Sequence, residues 1–240
     1  KTRESELNGT LLFGAIADEE HGSEKGLKWL LANDAVRAEM AFVPDISGYL
    51  QEVEIAEKGL VDARVTFHGK QAHSSVPADG VSALAALAEL MYLTENWRPQ
   101  GSAIRHPLLS STTCVISQAE AGVAHNIVPG KAMAIYNVRY LPHQSASGVV
   151  AELRKMAEHI ATRRPGISVT VEKIAELPPT KTQPNQPVAQ ALFQAIQYIT
   201  EQPPKFVGIG GATLCKQLIA AGIPAGAFGP GDPKMPHMAD

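Results

Sequence analysis

Between residues 59 and 177 the hydrophobic period changes in an order that few folds accept. Leu60, Val61, Ala63, Val65 and Phe67 mark an extended segment that stops at Gly69. Residues 81–93 are rich in Ala and Leu and read as a helix, while 112–116 and 132–138 read as strands. Val149, Val150, Leu153, Met156 and Ile160 recur at helical spacing, and 167–171 alternates as a last strand. The order β-α-β-β-α-β is the ferredoxin-like arrangement, a complete small α+β unit. It predicts a four-stranded antiparallel sheet with two helices on one face.

The flanks speak a different language. Residues 11–17 (LLFGAIA) form a short apolar run that reads as a buried strand. Leu27, Trp29, Leu30 and Leu31 follow at roughly helical spacing, and residues 40–43 read as a second strand ending at Pro44-Asp45. After Leu177-Pro178-Pro179 come a helix over 188–199, the pair Phe206-Val207, the glycine-rich segment 208–213, a helix over 214–221 and a strand over 225–228. This is β-α-β patterning on both sides of the middle unit. The chain therefore divides into 1–58, 59–177 and 178–240, an α/β domain interrupted by an inserted α+β domain.

Composition removes several alternatives. The chain has 240 residues, 45% of them apolar, which is enough for a sizeable core. Its net charge is −3 and it carries no run of Lys or Arg, which argues against nucleic acid as a partner. No apolar run reaches membrane-spanning length, and no signal-peptide core opens the sequence. Two cysteines far apart, Cys114 and Cys215, do not make a disulfide framework; a reducing, cytoplasmic compartment fits, and both read as small buried hydrophobes.

The chemistry concentrates at Asp18-Glu19-Glu20, where the first expected strand gives way to a loop. In open α/β sheets ligands bind beyond the carboxyl ends of the strands. One carboxylate there can hold a metal while its neighbour moves a proton. A solvated acidic loop is the plain alternative.

Further motifs fall in a fixed order. Gly22 and Gly26 follow the triplet, and Asp45 ends the next strand. Then come Gly69-Lys70-Gln71-Ala72-His73-Ser74-Ser75-Val76-Pro77, His125-Asn126-Ile127-Val128-Pro129-Gly130 and Val138-Arg139-Tyr140-Leu141-Pro142. Gly210-Gly211-Ala212-Thr213 and Phe228-Gly229-Pro230-Gly231-Asp232, with His237, close the set. The ordered set resembles the dinuclear zinc exopeptidases and deacylases, the family of acetylornithine deacetylase, succinyl-diaminopimelate desuccinylase and glutamate carboxypeptidase. The resemblance covers almost the whole chain. It implies a zinc-peptidase-like three-layer catalytic domain that carries an inserted lid and dimerises through it. Family members also carry an earlier metal-binding His and a bridging Asp, and continue past the last metal His. Neither feature has a counterpart here, so the chain is expected to be an internal fragment of a longer enzyme or a truncated homologue.

Carried over by position, Glu19 resembles the general base, and Glu20, Asp45 and His237 resemble metal ligands. His73 resembles the histidine that reaches the partner subunit's site and steadies the oxyanion. Asn126, Arg139, Gly211 and Thr213 resemble substrate contacts, with Arg139 taking a carboxylate. Asp45 stands where many relatives have Glu in a Gly-Glu-Pro setting; its alternative role is to cap a turn. Arg139 could instead form an edge-strand ion pair. Leu214 stands where relatives often have Asp after the Thr, which sets this chain apart from the best-known deacylases. The resemblance implies two zinc ions per full-length subunit, with Co²⁺ or Mn²⁺ as substitutes, and a small N-acyl amino acid or dipeptide as substrate. Two other readings stand beside it. One is a catalytically incompetent chain. The other is a nucleotide-binding α/β protein using residues 208–211, although the full dinucleotide and P-loop fingerprints are missing.

Overall fold

The computed structural model describes residues 8–20 and 22–232. They form two sheets. The first unit is the expected one. Its strands β3 (Gly59–His68), β4 (Thr113–Ala121), β5 (Lys131–Tyr140) and β6 (Ser168–Leu177) pair in the order β4-β5-β3-β6, all antiparallel. Helices α2 (Ala83–Thr94) and α3 (Ala146–Thr162) cover one face.

Local sequence explains each element. On β5, Ala132, Ala134, Tyr136, Val138 and Tyr140 alternate inward, while the intervening residues stand on the open face. The helices bury Leu87, Leu90, Leu153, Ala157 and Ile160 on the same core. Ser82 and Ser145 cap them, accepting the amides of Ala85 and Gly148 at 3.2 and 3.1 Å. Within this core the Tyr136 hydroxyl meets Thr94 Oγ1 at 3.1 Å, so its polar end is satisfied.

The second sheet has five strands: β1 (Ala41–Val43), β2 (Glu52–Glu57), β7 (Thr180–Lys181), β8 (Lys205–Ile209) and β9 (Ala225–Ala227). β1 runs parallel to β9, and β2 pairs with β8 in parallel and with β9 and β7 antiparallel. Helix α4 (Pro187–Thr200) packs Ala189, Leu192 and Ile196 on Val53 and Ile55. Helices α1 (Leu27–Ala32) and α5 (Cys215–Ala220) pack with Val43, Ala225 and Ala227. On β9, Gly226 approaches Leu192 of α4, whereas its neighbours Ala225 and Ala227 belong to the α1/α5 cluster. The helices therefore lie on opposite faces, giving three layers. Among the described residues no helix is long and apolar enough to cross a membrane.

Two chain crossings join the sheets. Only Lys58 separates β2 from β3, and only Pro178-Pro179 separates β6 from β7. Gly59 is required at the first crossing, because a Cβ there would sit 2.2 Å from the Tyr140 ring.

One expectation fails. Residues 11–17 are not a strand. Leu11, Leu12 and Phe13 are 76%, 59% and 88% exposed, and no ladder partner reaches them among the described residues. An apolar run is read as a strand only because a neighbour accepts its hydrogen bonds, and none does so here. Strands β2 and β7 are also present without having been expected.

Candidate active site

The segment bearing the acidic triplet turns sharply. Asp18 adopts φ 67°, and its backbone carbonyl accepts the amide of Ser23 at 2.7 Å. Its carboxylate accepts the amide of Lys25 at 2.8 Å. A left-handed Asp that ties its own loop is a recognised compensation for that strain. The loop leaves Glu19 half-buried and Glu20 exposed. Just before it, Ile16 packs against the cluster containing Val43, Ile46 and Ala227. Val43 and Ala227 are the paired last residues of parallel strands β1 and β9. The triplet's approach therefore packs on the apolar cluster that includes the ends of those strands, and α/β sheets hold ligands beyond the carboxyl ends of their strands.

Asp45 lies in the loop leaving β1 and is exposed. That loop is laced to the one leaving β9: Gly48 N–H reaches Gly231 O at 2.9 Å and Leu50 N–H reaches Gly229 O at 3.0 Å. The approach is so close that a Cβ on Gly229 would sit 1.7 Å from Ile46 O. Tyr49 and Leu50 are both left-handed, at φ 53° and 55°. Consecutive non-glycine residues in that region store strain of the kind found at functional sites. The Tyr49 hydroxyl bonds to Asp232, which raises its pKa. His237 lies outside the described residues.

The donors fit a divalent cation only in part. Glu20 and Asp45 offer hard oxygen ligands from two separate loops, whereas a zinc site takes four ligands. Among the described residues these two are not joined by a third metal-capable side chain within ligand distance.

On the four-stranded unit, His73 and Asn126 come together. His73 bridges Ile127 across two loops, and Ser74 N–H reaches Asn126 O at 2.9 Å. His73 Nδ1 accepts the amide of Ser75 at 3.2 Å and lies 2.7 Å from Ser75 Oγ. With Nδ1 an acceptor, the neutral ring carries its proton on Nε2, on an exposed side chain. Arg139 stands on the open face of β5. It donates through Nε to Asn137 at 3.3 Å and through Nη1 to Gly210 O at 3.5 Å. Arg139 and the 210–213 loop thus meet across the two sheets, with Gly210 and Gly211 exposed.

Thr213 requires a correction. It is 3% exposed, and its hydroxyl donates to Glu57 Oε1 at 2.6 Å while accepting the amide of Cys215 at 3.1 Å. A hydroxyl so committed is not turned toward a substrate.

That contact belongs to a cluster the sequence reading missed. Glu54 and Glu57 are 2% and 0% exposed, and with Cys215 their ligand atoms lie within 4.8 Å of one another. They stand three residues apart on a strand, a spacing that normally faces opposite sides. The register shift between Glu54 and Ala56 turns them the same way. Lys216 Nζ sits 3.2 Å from Glu57 Oε2. Burial, with the Glu57 charge beside it, pushes the Glu54 carboxyl up to about 8, so it is held neutral. Burial also draws Glu57 and Lys216 toward their neutral forms, and their mutual attraction opposes it. Glu54 Oε2 has no hydrogen-bond partner. Two signals were available: Glu at i and i+3 in EVEIAE, and a lone Lys inside an apolar helix. Both cysteines are free, and burial pushes the Cys114 thiol up to about 11 and that of Cys215 still higher.

Comparison with known proteins fits this architecture. Residues 55–165 match the M20 peptidase dimerisation domain. An uncharacterized metallohydrolase of Methanocaldococcus jannaschii is 28% identical over 95% of this chain and 59% of its own length. The succinyl-diaminopimelate desuccinylase of Gluconacetobacter diazotrophicus is 29% identical over 93% of this chain and 57% of its own. The chain thus spans under two thirds of these relatives. The aminopeptidase PepT of Bacillus cereus superposes with a TM-score of 0.70 at 22% identity, over 89% of this chain and 54% of that one, which speaks for the fold. The chain is thus similar to M20 deacylases and metallohydrolases over most of its length, and its residues 55–165 match the dimerisation domain found in M20 peptidases.

Proposed function

We propose that the protein carrying this chain is a metal-dependent hydrolase that cleaves an amide bond in a small N-acyl amino acid or dipeptide. The observation that carries the reading is the lacing of the Asp45 loop to the loop leaving β9 at the carboxyl ends of parallel strands β1 and β9, with the segment leading to Glu19-Glu20 packed on the same apolar cluster. A desuccinylase and a metallohydrolase among the relatives support the reaction class. Glu20 and Asp45, with His237, would hold the metal, zinc being the expected ion. A bound divalent ion supplies a water of lowered pKa. Glu19, beside Glu20 but half-buried, is the carboxylate that would accept a proton from the attacking water and pass it to the leaving amine. His73, with its Nε2–H outward, donates to the oxyanion in the site of a partner subunit. Asn126 and Gly211 contact the substrate, and Arg139 binds its carboxylate. The units 1–58 and 178–240 form the catalytic domain, and 59–177 is the lid through which two copies pair.

The test is a pair of variants in the full-length protein, assayed on a panel of N-acyl amino acids with bound metal measured in parallel. Glu19→Gln should keep its metal and lose turnover by about 10²–10⁴-fold, the usual contribution of a positioned acid–base group. Glu20→Gln should lose metal. Full activity in metal-loaded Glu19→Gln sinks the base assignment. A parent protein that binds no divalent ion sinks the hydrolase reading.

A further inference from the structure

We propose that Lys216 is a positioning residue that pins the joint between the two sheets and ties it to the 210–213 loop. Its ammonium, 3% exposed, donates to Lys58 O at 2.8 Å and to Pro178 O at 2.8 Å. Lys58 is the residue between β2 and β3, and Pro178 lies between β6 and β7. One cation on α5 therefore holds both strands of the chain at the points where they pass between the sheets. The same ammonium faces Glu57, whose other oxygen accepts both the amide and the hydroxyl of Thr213, at 3.1 and 2.6 Å. The glycine loop, the outgoing crossing and the returning crossing thus share one buried network.

The geometry suits a pin better than a counter-ion alone. A lysine serving only to neutralise Glu57 has no need of two backbone carbonyls from segments some 120 residues apart in sequence; here the ammonium donates to both carbonyls and has Glu57 Oε2 beside it as an ion-pair partner. A buried carbonyl that loses its donor is costly, so each crossing resists moving away from the ammonium. Other contacts also bridge the sheets: Lys58 Nζ to Ser111 O at 2.5 Å, Arg139 Nη1 to Gly210 O at 3.5 Å, and a small apolar cluster of Ala56, Leu109 and Leu141. None of these reaches the returning crossing at Pro178. The acidic pocket of Glu54, Glu57 and Cys215 has its cation already, in Lys216. The inference does not depend on the hydrolase reading, because it concerns the angle between two sheets and not what is bound.

The experiment reads that angle directly. Nitroxide labels go on Tyr92→Cys in α2 and Tyr198→Cys in α4, which are 78% and 87% exposed, in a Cys114→Ser background. Cys215, at 2% exposure, stays unlabelled. Dilution with unlabelled chain isolates distances within one molecule. The parent should give one narrow distance distribution. Lys216→Met should broaden or shift it. The double variant Lys216→Met/Glu57→Gln removes the stranded charge while keeping an acceptor for Thr213, so it should fold and still show the altered distribution. Either variant keeping the parent distribution overturns the proposal and leaves the lysine a counter-ion. A double variant that does not fold also overturns it, making the lysine a requirement of the core.

Discussion

The four-stranded and five-stranded layers bury their residues in different ways. The first has one continuous core in which β3, β5, α2 and α3 contribute fully buried side chains of alternating size. The second has two smaller clusters, split by a sheet whose central strand carries two buried glutamates, and a third small cluster lies at the joint between the layers. Apolar burial stabilises by about 25 cal/mol per Å², so a continuous core resists loss of order better than separated clusters of smaller area. The first layer is built for stability. The second gives part of its interior to charge, and it is the layer that carries the candidate loops. Function-bearing regions are commonly drawn from the less stable end of a fold.

The largest test of this contrast is electrostatic. In the folded chain Glu54 holds its proton up to about pH 8, whereas its ordinary value is 4.5. Between those values the folded state binds more protons than the unfolded one, so stability falls as pH rises through that window. The full gap corresponds to at most about 5 kcal/mol. Glu54→Gln should flatten the urea midpoint against pH from 5 to 8. An unchanged slope in that variant would move the pH dependence elsewhere.

Next in size are matched truncations. Leu87→Ala, at 1% exposure in the four-stranded core, should cost about 4–5 kcal/mol. Leu218→Ala, at 7% exposure in a smaller cluster, should cost about 2–3 kcal/mol, because the site can collapse more readily. Equal costs in equilibrium denaturation would erase the distinction between the layers. A third, smaller effect concerns the corrected threonine: Thr213→Val removes the donor to Glu57 and should cost about 1–3 kcal/mol of stability. With stability restored by lower temperature, its KM should match the parent's. A raised KM with unchanged stability would return Thr213 to the substrate.

What the sequence made legible follows from where the information lies. The four-stranded unit reads plainly, since its strands alternate and its helices repeat along their own length, as Tyr136, Val138 and Tyr140 show. β2 does not. Glu52-Val53-Glu54-Ile55-Ala56-Glu57 looks like a half-solvated segment, yet it is a central strand whose last Glu is matched by Lys216, far along the chain. A compensation between distant residues leaves no local period. The site was partly legible for the same reason. Motif order pointed to the loops bearing Glu19, Glu20 and Asp45, but motif order cannot show that Thr213 turns inward.

The smallest expected effect is the sharpest check on the failed strand. Phe13 is 88% exposed and Leu11 76%. A side chain left in water in the folded state loses little when made polar, and such surface changes usually fall within about 0.5 kcal/mol. Phe13→Ser should therefore leave the urea midpoint almost unmoved, and Leu11→Ser likewise. The contrast with Ile16 makes the test internal, because Ile16, only three residues from Phe13, packs against the buried cluster that includes Val43 and Ala227. Ile16→Ser should cost clearly more than Phe13→Ser, since it places a hydroxyl against an apolar cluster. If Phe13→Ser costs as much as Ile16→Ser, residues 11–13 are covered in solution, and the five-stranded layer has another neighbour along that edge.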